Sequence, residues 1–115
     1  MTLPITYIAE DFATAPQLTP EQMKEAADAG FRTVVNNRPD FEGGPQQPTD
    51  RQIREAAESA GLSYVFFPVI SGGITPSEVA EYAKLLDELP RPVLAFCRSG
   101  TRSGNLYRLA KAGRR

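Results

Sequence analysis

Apolar and polar positions along the chain follow two patterns, a helical spacing and short continuous apolar runs. Three of the helical segments open with a capping-box signature, in which a threonine stands three residues before a glutamine or a glutamate. Because these two side chains cap the first helical turn reciprocally, the signature predicts helices that open at Thr19, Thr49 and Thr75. A fourth helical pattern covers residues 103–112.

The apolar runs alternate with these helices and predict buried strands over residues 31–37, 63–67 and 93–97. The run over residues 63–67 is apolar enough to be covered on both faces of a sheet. Residues 5–9 and 11–16 predict two shorter extended pieces, which we expect to form a small antiparallel element at one edge.

This alternation predicts an α/β fold, a parallel sheet of four to five strands with helices on both faces. We expect residues 1–115 to form a single domain, with a linker beginning after residue 112. In open α/β sheets, ligands bind at the carboxyl ends of the strands. That edge gathers three loops, over residues 38–48, 68–74 and 97–102.

Composition narrows the function classes. The net charge of -1 favours neither nucleic acid nor a membrane as a partner. The chain has one cysteine and no histidine, so an internal disulfide is impossible, and zinc chemistry and Cys-His protease chemistry are disfavoured. Because we see neither a disulfide framework nor a secretory signal, we expect a cytoplasmic protein. No metal or organic cofactor is required by the chemistry that remains.

The single cysteine, Cys97, ends the last apolar run and is followed by a compact polar loop and a helical pattern. Such an arrangement gathers backbone N–H groups around an anion. Helix N-termini and nearby cations lower the pKa of a cysteine, so we predict Cys97 and Arg102 as catalytic residues. The predicted substrate-binding residues are Arg38, Arg98, Ser99, Gly100, Thr101 and Ser103. A buried, inert cysteine is the alternative, and the polar loop after Cys97 disfavours it.

Four residues in the neighbouring loops need separate consideration. Arg38 follows a strand and forms either a surface salt bridge or a substrate contact. Asp40 is a candidate general acid in the long loop over residues 38–48. The pair Gly72-Gly73 forms either a plain turn or a gate for the substrate.

The segment from Cys97 to Arg102 resembles the active loop of rhodanese sulfurtransferases, in which a cysteine begins a six-residue loop. The upstream segments over residues 7–9 and 33–39 resemble the dual-specificity phosphatase fold. The combination is similar to a bacterial family of phosphatase-fold domains with rhodanese-type loops. That family includes the N-terminal domain of beta-lactamase-hydrolase-like proteins, which are fused to a persulfide dioxygenase. The resemblance covers about residues 5–112.

The chain departs from the phosphatase pattern in two ways. Those phosphatases place a histidine before the cysteine and five residues between cysteine and arginine, whereas here Phe96 precedes Cys97 and four residues separate it from Arg102. They also use an aspartic acid on a neighbouring loop to protonate the leaving alkoxide. The loop over residues 70–74 has no acidic residue, so Asp40 is the only plausible substitute.

These departures make a sulfurtransferase the main hypothesis. It would move sulfur from thiosulfate or a persulfide to a thiol or cyanide through a Cys97 persulfide. Its partners would be a small anionic sulfur donor, a thiol acceptor and a fused or separate persulfide dioxygenase. The alternatives are a cysteine-dependent phosphatase of the dual-specificity type and a non-catalytic sensor or interaction domain.

Overall fold

The structure, a computed structural model, describes residues 3–112. The predicted linker falls on residues 113–115, which lie outside the described residues. Strands and helices alternate after an initial pair of strands. In chain order the elements are β1 (Thr6–Ala9), β2 (Phe12–Ala15), α1 (Gln22–Asp28), β3 (Thr33–Asn36), α2 (Asp50–Ser59), β4 (Ser63–Phe66), α3 (Pro76–Glu88), β5 (Val93–Phe96) and α4 (Thr101–Ala112).

The strands form one five-stranded sheet in the order β1-β2-β5-β3-β4. Strands β2, β5, β3 and β4 run parallel, and β1 pairs antiparallel with β2 at one edge. The predicted α/β sheet and its antiparallel edge element are therefore confirmed. The register pairs Asn36 with Phe96 at the ends of two neighbouring strands. The next residues, Asn37 and Cys97, consequently leave the sheet side by side.

The sheet carries an apolar layer on each face, because successive strand residues point to opposite sides. On one face Val34 and Leu94 pack with α1 and α2. On the other, Val35 and Ala95 pack with α3 and α4. The prediction that helices cover both faces is confirmed, and the paired helix layers hold β5 in the centre.

The three predicted capping boxes form, but only two of them begin a helix. Thr49 and Thr75 cap α2 and α3, and each accepts a hydrogen bond from the backbone three residues later while its partner side chain bonds back. Thr19 and Gln22 exchange the same bonds, at 2.8 and 3.3 Å, yet they close a turn that precedes the helix. Helix α1 starts only at Gln22, with Glu21 as its N-cap residue.

Two other sequence predictions need correction. Strand β4 was expected to be covered on both faces, but it lies at the sheet edge and Ser63 is exposed, with the remaining residues half-buried. Helix α4 begins at Thr101 and not at Ser103, so Thr101 and Arg102 are helical. Within residues 3–112, no helix has both the length and the apolar character that a membrane span needs.

Candidate functional site

The carboxyl ends of β3 and β5 open into a cleft of about 900 Å³. Its walls come from the three loops that the sequence placed at this edge. The described residues lining it are Arg38, Glu42, Gly43, Ser71, Gly72, Ile74, Cys97, Arg98, Ser99, Thr101, Arg102 and Asn105. Six of the eight predicted site residues are therefore brought together there. The other two, Gly100 and Ser103, support the same loop from inside the protein.

The Cys97 side chain lies at the bottom of this cleft. It is only 1% exposed, and the backbone N–H of Gly100 donates a hydrogen bond of 3.1 Å to its Sγ. Burial by itself raises the pKa of the thiol, but hydrogen bonds from the Ser103 N–H and hydroxyl, and from the N–H groups of Gly100 and Ser99, lower it further than burial raises it. The pKa of Cys97 is consequently below that of an ordinary cysteine. The loop N–H groups are therefore placed to stabilise the thiolate form of Cys97.

Gly100 permits this geometry because its φ is +94°, in the region that side chains avoid. A Cβ at this position would lie 3.4 Å from the backbone carbonyl carbon of Ala15, on the neighbouring strand. The same strand end fixes the loop through the Cys97 N–H, which donates to the Ala15 carbonyl at 3.3 Å. The loop is thereby packed closely against β2, and the positive φ of Gly100 disfavours any side chain there.

Ser103 connects the cysteine loop to β3. Its hydroxyl donates to Oδ1 of Asn37 at 2.8 Å, and Nδ2 of Asn37 donates to the carbonyl of Phe67 at 2.8 Å. Both Asn37 and Ser103 are fully buried. The sequence analysis missed Asn37, although its place after an apolar strand at the functional edge was a signal for it.

The terminal nitrogens of Arg102 bond to Glu42 and to the backbone. Nη1 and Nη2 of Arg102 each donate to one carboxylate oxygen of Glu42 at 3.0 Å, and Nη1 also donates to the carbonyl of Val69 at 3.1 Å. Nε of Arg102 is buried without a hydrogen-bond partner. Arg102 is helical and 8% exposed, so it forms part of the cleft wall.

Arg38 is buried in the same cluster, which resolves its two alternatives in part. Its Nε donates to Glu42 at 2.9 Å and one terminal nitrogen donates to Gln17 at 3.0 Å. The salt bridge is thus real but lies in the cleft and not on the surface. Glu42 was the second residue missed by the sequence analysis. Glu42 lies four residues after Arg38, a spacing that favours ion pairs within helices. Because this segment is a loop, that spacing was only a weak indication of the contact.

The remaining predicted residues lie at the cleft mouth. Arg98, Ser99 and Thr101 are exposed, and the Ser99 hydroxyl donates to that of Thr101 at 3.2 Å. Gly72 lies in a plain turn closed by a hydrogen bond of 2.9 Å from the Gly73 N–H to the Ile70 carbonyl. This turn also lines the cleft.

Asp40 does not lie among the cleft-lining residues. Its Oδ1 accepts a hydrogen bond of 2.7 Å from the backbone N–H of Asp50, at the first turn of α2. This contact ties the long loop to the helix. Among residues 3–112, no group of three or more cysteine, aspartate and glutamate side chains is placed to hold a metal ion.

The sequence matches a protein family over residues 4–114, described as the phosphatase-like domain of beta-lactamase hydrolase-like protein. The beta-lactamase hydrolase-like protein of Agrobacterium fabrum is 40% identical over 83 residues, which are 72% of this chain and 19% of that protein. Its counterpart in Xylella fastidiosa is 36% identical over 107 residues, 93% of this chain and 25% of that protein. This chain thus corresponds to about a fifth to a quarter of these relatives' length.

Solved structures share the fold. A candidate phosphatase from Neisseria meningitidis superposes with a TM-score of 0.84 at 34% identity, covering 92% of this chain and 75% of that chain. TpbA of P. aeruginosa, solved as a Cys-to-Ser variant in complex with pTyr, superposes with a TM-score of 0.67 at 17% identity, covering 96% and 65%. At that identity the likeness concerns the fold alone.

The comparisons confirm a phosphatase-like fold family and match the chain to a phosphatase-like domain. They favour the phosphatase, which the sequence analysis gave as its alternative, over the sulfurtransferase, which they do not support. The rhodanese activity and the fusion to a persulfide dioxygenase stay predictions.

Proposed function

Since the chain belongs to the family of the phosphatase-like domain of beta-lactamase hydrolase-like proteins, we propose that Cys97 is the nucleophile of a covalent group transfer, and that the group is a sulfur atom. The nucleophile is supported by the lowered pKa of Cys97 and by its place in a cleft that is lined by three arginines. The relatives favour a phosphoryl group instead. The choice of sulfur rests on the ionised state of the one carboxylate among the described residues that line the cleft.

The observation that carries the proposal is the state of Glu42. Among the described residues that line the cleft, Glu42 is the one carboxylate. Hydrogen bonds from Arg102, followed by those from Arg38, lower the pKa of Glu42 despite its partial burial. An ionised carboxylate cannot act as the general acid that speeds the departure of an alkoxide from a phosphate ester. A thiolate or sulfite leaves without that proton, so sulfur transfer is compatible with this cleft.

The reaction balances without an oxidant or a reductant. The Cys97 thiolate attacks the outer sulfur of a persulfide R–S–SH, the new Cys97–S bond forms, and the old S–S bond breaks with its electron pair leaving on RS⁻. Cys97 then carries the sulfur as Cys97–S–SH. An acceptor thiolate attacks that outer sulfur, takes it as a new persulfide and regenerates the Cys97 thiolate. The N–H groups of Ser99, Gly100 and Ser103 stabilise the anion at both stages.

The intact mass of the protein after incubation with a donor tests this proposal directly. With thiosulfate or glutathione persulfide we expect a gain of about 32 Da, one sulfur atom, that disappears on addition of a thiol or cyanide. Cys97→Ser should gain no mass, and Ser77→Ala, an exposed serine on α3, should behave as the wild type. The absence of a mass gain with both donors contradicts sulfur transfer.

A cysteine-dependent phosphatase is the second candidate, and the family match and the solved relatives favour it. It predicts hydrolysis of an aryl phosphate that is lost in Cys97→Ser. Such hydrolysis, without a sulfur adduct, would replace the first candidate with the second. If neither activity is found and the alkylation profile of Cys97 shows an ordinary pKa, the domain is a non-catalytic sensor.

The partners follow from the proposed reaction. A small sulfur donor and a thiol acceptor enter the cleft, and a persulfide dioxygenase, fused or separate, would consume the persulfide that leaves. The proposed chemistry needs no metal or organic cofactor in this domain.

A further inference from the structure

The carboxylate of Glu42 occupies the position in which an arginine pair would clamp a doubly charged anion. Both terminal nitrogens of Arg102 donate to it at 3.0 Å, and Nε of Arg38 donates to it at 2.9 Å. The paired terminal nitrogens of an arginine are the donors that bind phosphate or sulfate in a bidentate manner. Here the terminal nitrogens of Arg102 already bind the Glu42 carboxylate.

The segment around Glu42 is shaped to hold the carboxylate there. Phe41 has a φ of +64°, a left-handed conformation that is rare outside glycine. The Gly43 N–H donates to the Gln47 side chain at 2.7 Å, and a Cβ on Gly43 would lie 2.6 Å from a terminal nitrogen of Arg38. Gln47 in turn donates to the Pro39 carbonyl at 2.9 Å. Glu42 therefore lies in a loop that these hydrogen bonds close, and it lines the cleft.

The charges of the cleft floor are balanced once Cys97 is ionised. The buried guanidiniums of Arg38 and Arg102 face the carboxylate of Glu42, and the lowered pKa keeps that carboxylate charged at neutral pH. With the Cys97 thiolate added, the buried positive charges have equal negative partners. A doubly charged substrate would enter a site with no surplus positive charge beneath it, since Arg98 at the mouth is exposed and screened by solvent.

We infer that Glu42 determines the charge specificity of this site, which accepts donors with at most one negative charge on the reacting group, such as organic persulfides, in preference to tetrahedral dianions. The choice of persulfides as the donor class rests on the proposed sulfur transfer. The charge preference itself is a binding property and does not require turnover.

The binding test measures how anions protect Cys97 from iodoacetamide, a neutral alkylating agent. The probes are sulfate and methanesulfonate, which share three oxygens on a tetrahedral sulfur but differ by one charge. At constant ionic strength we expect methanesulfonate to protect wild-type protein at least as well as sulfate. In Glu42→Gln, sulfate should protect at least about tenfold better than in the wild type, because the negative charge that neutralises Arg38 and Arg102 is gone.

A matched control is Glu55→Gln, which removes an equal charge from an exposed ion pair with Arg51 on α2, away from the cleft. Its protection by sulfate should equal that of the wild type. Unchanged or weaker protection of Glu42→Gln by sulfate overturns the inference, because Glu42 would then only position Arg102. If Glu42→Gln does not fold, the wild-type protein alone tests the inference. Protection of the wild type by sulfate about tenfold better than by methanesulfonate would overturn the inference.

A second experiment compares the turnover of two sulfur donors. Thiosulfate and the methanethiosulfonate anion present the same outer sulfur with two charges and one, respectively. We expect kcat/KM to favour methanethiosulfonate in the wild type and the preference to shift toward thiosulfate in Glu42→Gln. If neither donor reacts, the proposed sulfur transfer fails, while the protection experiment still decides the charge preference.

Discussion

The hydroxyl of Ser103 donates a hydrogen bond of 2.8 Å to Oδ1 of Asn37, a residue 66 positions earlier in the chain. The same hydroxyl is among the groups that lower the pKa of Cys97. A serine hydroxyl has one hydrogen, so it can serve Asn37 or the Cys97 thiolate, but not both at once. Asn37 therefore competes with the thiolate for the donor that stabilises it.

Replacing Ser103 with alanine removes a donor from the thiolate. A hydrogen bond to a charged group contributes about 1.5–3 kcal/mol, so the midpoint of the alkylation profile of Cys97 should move to higher pH by about one to two units. Iodoacetamide labelling rates over a pH series measure this. The exposed Ser77→Ala is the control, and a midpoint that stays in place would show that the hydroxyl serves Asn37 alone.

Replacing Asn37 with alanine should act in the opposite direction. Without its competing acceptor, the Ser103 hydroxyl is free to donate to the thiolate, and the midpoint should fall by several tenths of a unit or more. The variant also leaves the Phe67 carbonyl without its side-chain donor, so we expect a stability loss of about 1–3 kcal/mol in urea unfolding. A rise of the midpoint would instead mean that Asn37 positions Ser103 for the thiolate.

Gly100→Ala should disable the cysteine loop. The new Cβ meets the Ala15 backbone at 3.4 Å, and the φ of +94° is strained for any side chain, which costs about 1–2 kcal/mol. The matched control is Gly61→Ala, where φ is +85° and no atom lies within 4 Å of the added Cβ. Both variants should lose stability, but only Gly100→Ala should raise the pKa of Cys97. Equal labelling profiles for the two variants would contradict the role assigned to the Gly100 N–H.

The ion pairs of Glu42 should make stability depend on pH in the acid range. The pKa of Glu42 is lower in the folded protein than in the unfolded chain, where it is about 4.3. The contribution of ionised Glu42 to the free energy of unfolding is present in full above the pKa of the unfolded chain. It is lost as the pH falls through the lower pKa of Glu42 in the folded protein. The stability gap between wild type and Glu42→Gln should therefore narrow as the pH is lowered from 6 toward the acid limit of folding. Urea unfolding at each pH measures it, and a gap that widens on acidification would contradict the lowered pKa.

Asp40→Asn tests whether an aspartate acts as an acid in this domain. Because Asp40 bonds the first turn of α2 and lies outside the cleft lining, we expect unchanged turnover with any substrate. We expect a modest stability loss of about 0.5–2 kcal/mol, typical of a group that caps a helix start. A turnover reduced tenfold or more, with the basic limb of the pH profile altered, would restore Asp40 as the general acid.

The order of elements was accessible from the sequence because it depends on local periodicity. The threonine signatures at Thr49 and Thr75 begin helices, and the run that ends at Phe96 leads to the cysteine loop in the central strand. The alternation of these elements implied a parallel sheet with helices on both faces. From that sheet followed the edge at which Cys97, Arg102 and Arg38 meet.

Properties that depend on neighbours distant in sequence were not accessible. The residues of β4 are as apolar as those of a buried strand, and only the strand order places β4 at the edge. Thr19 forms its capping bonds, but the chain makes a turn before the helix begins at Gln22.

The sequence by itself determined the candidate nucleophile and its loop, because a thiol, a glycine and backbone N–H groups within six consecutive residues need no distant partner to form an anion site. Only the tertiary structure decided which charges surround that site. Glu42 lies 60 residues from Arg102, and no local pattern connects them. Their contact depends on the folded path of the loop, which places the Glu42 carboxylate against Arg38 and Arg102.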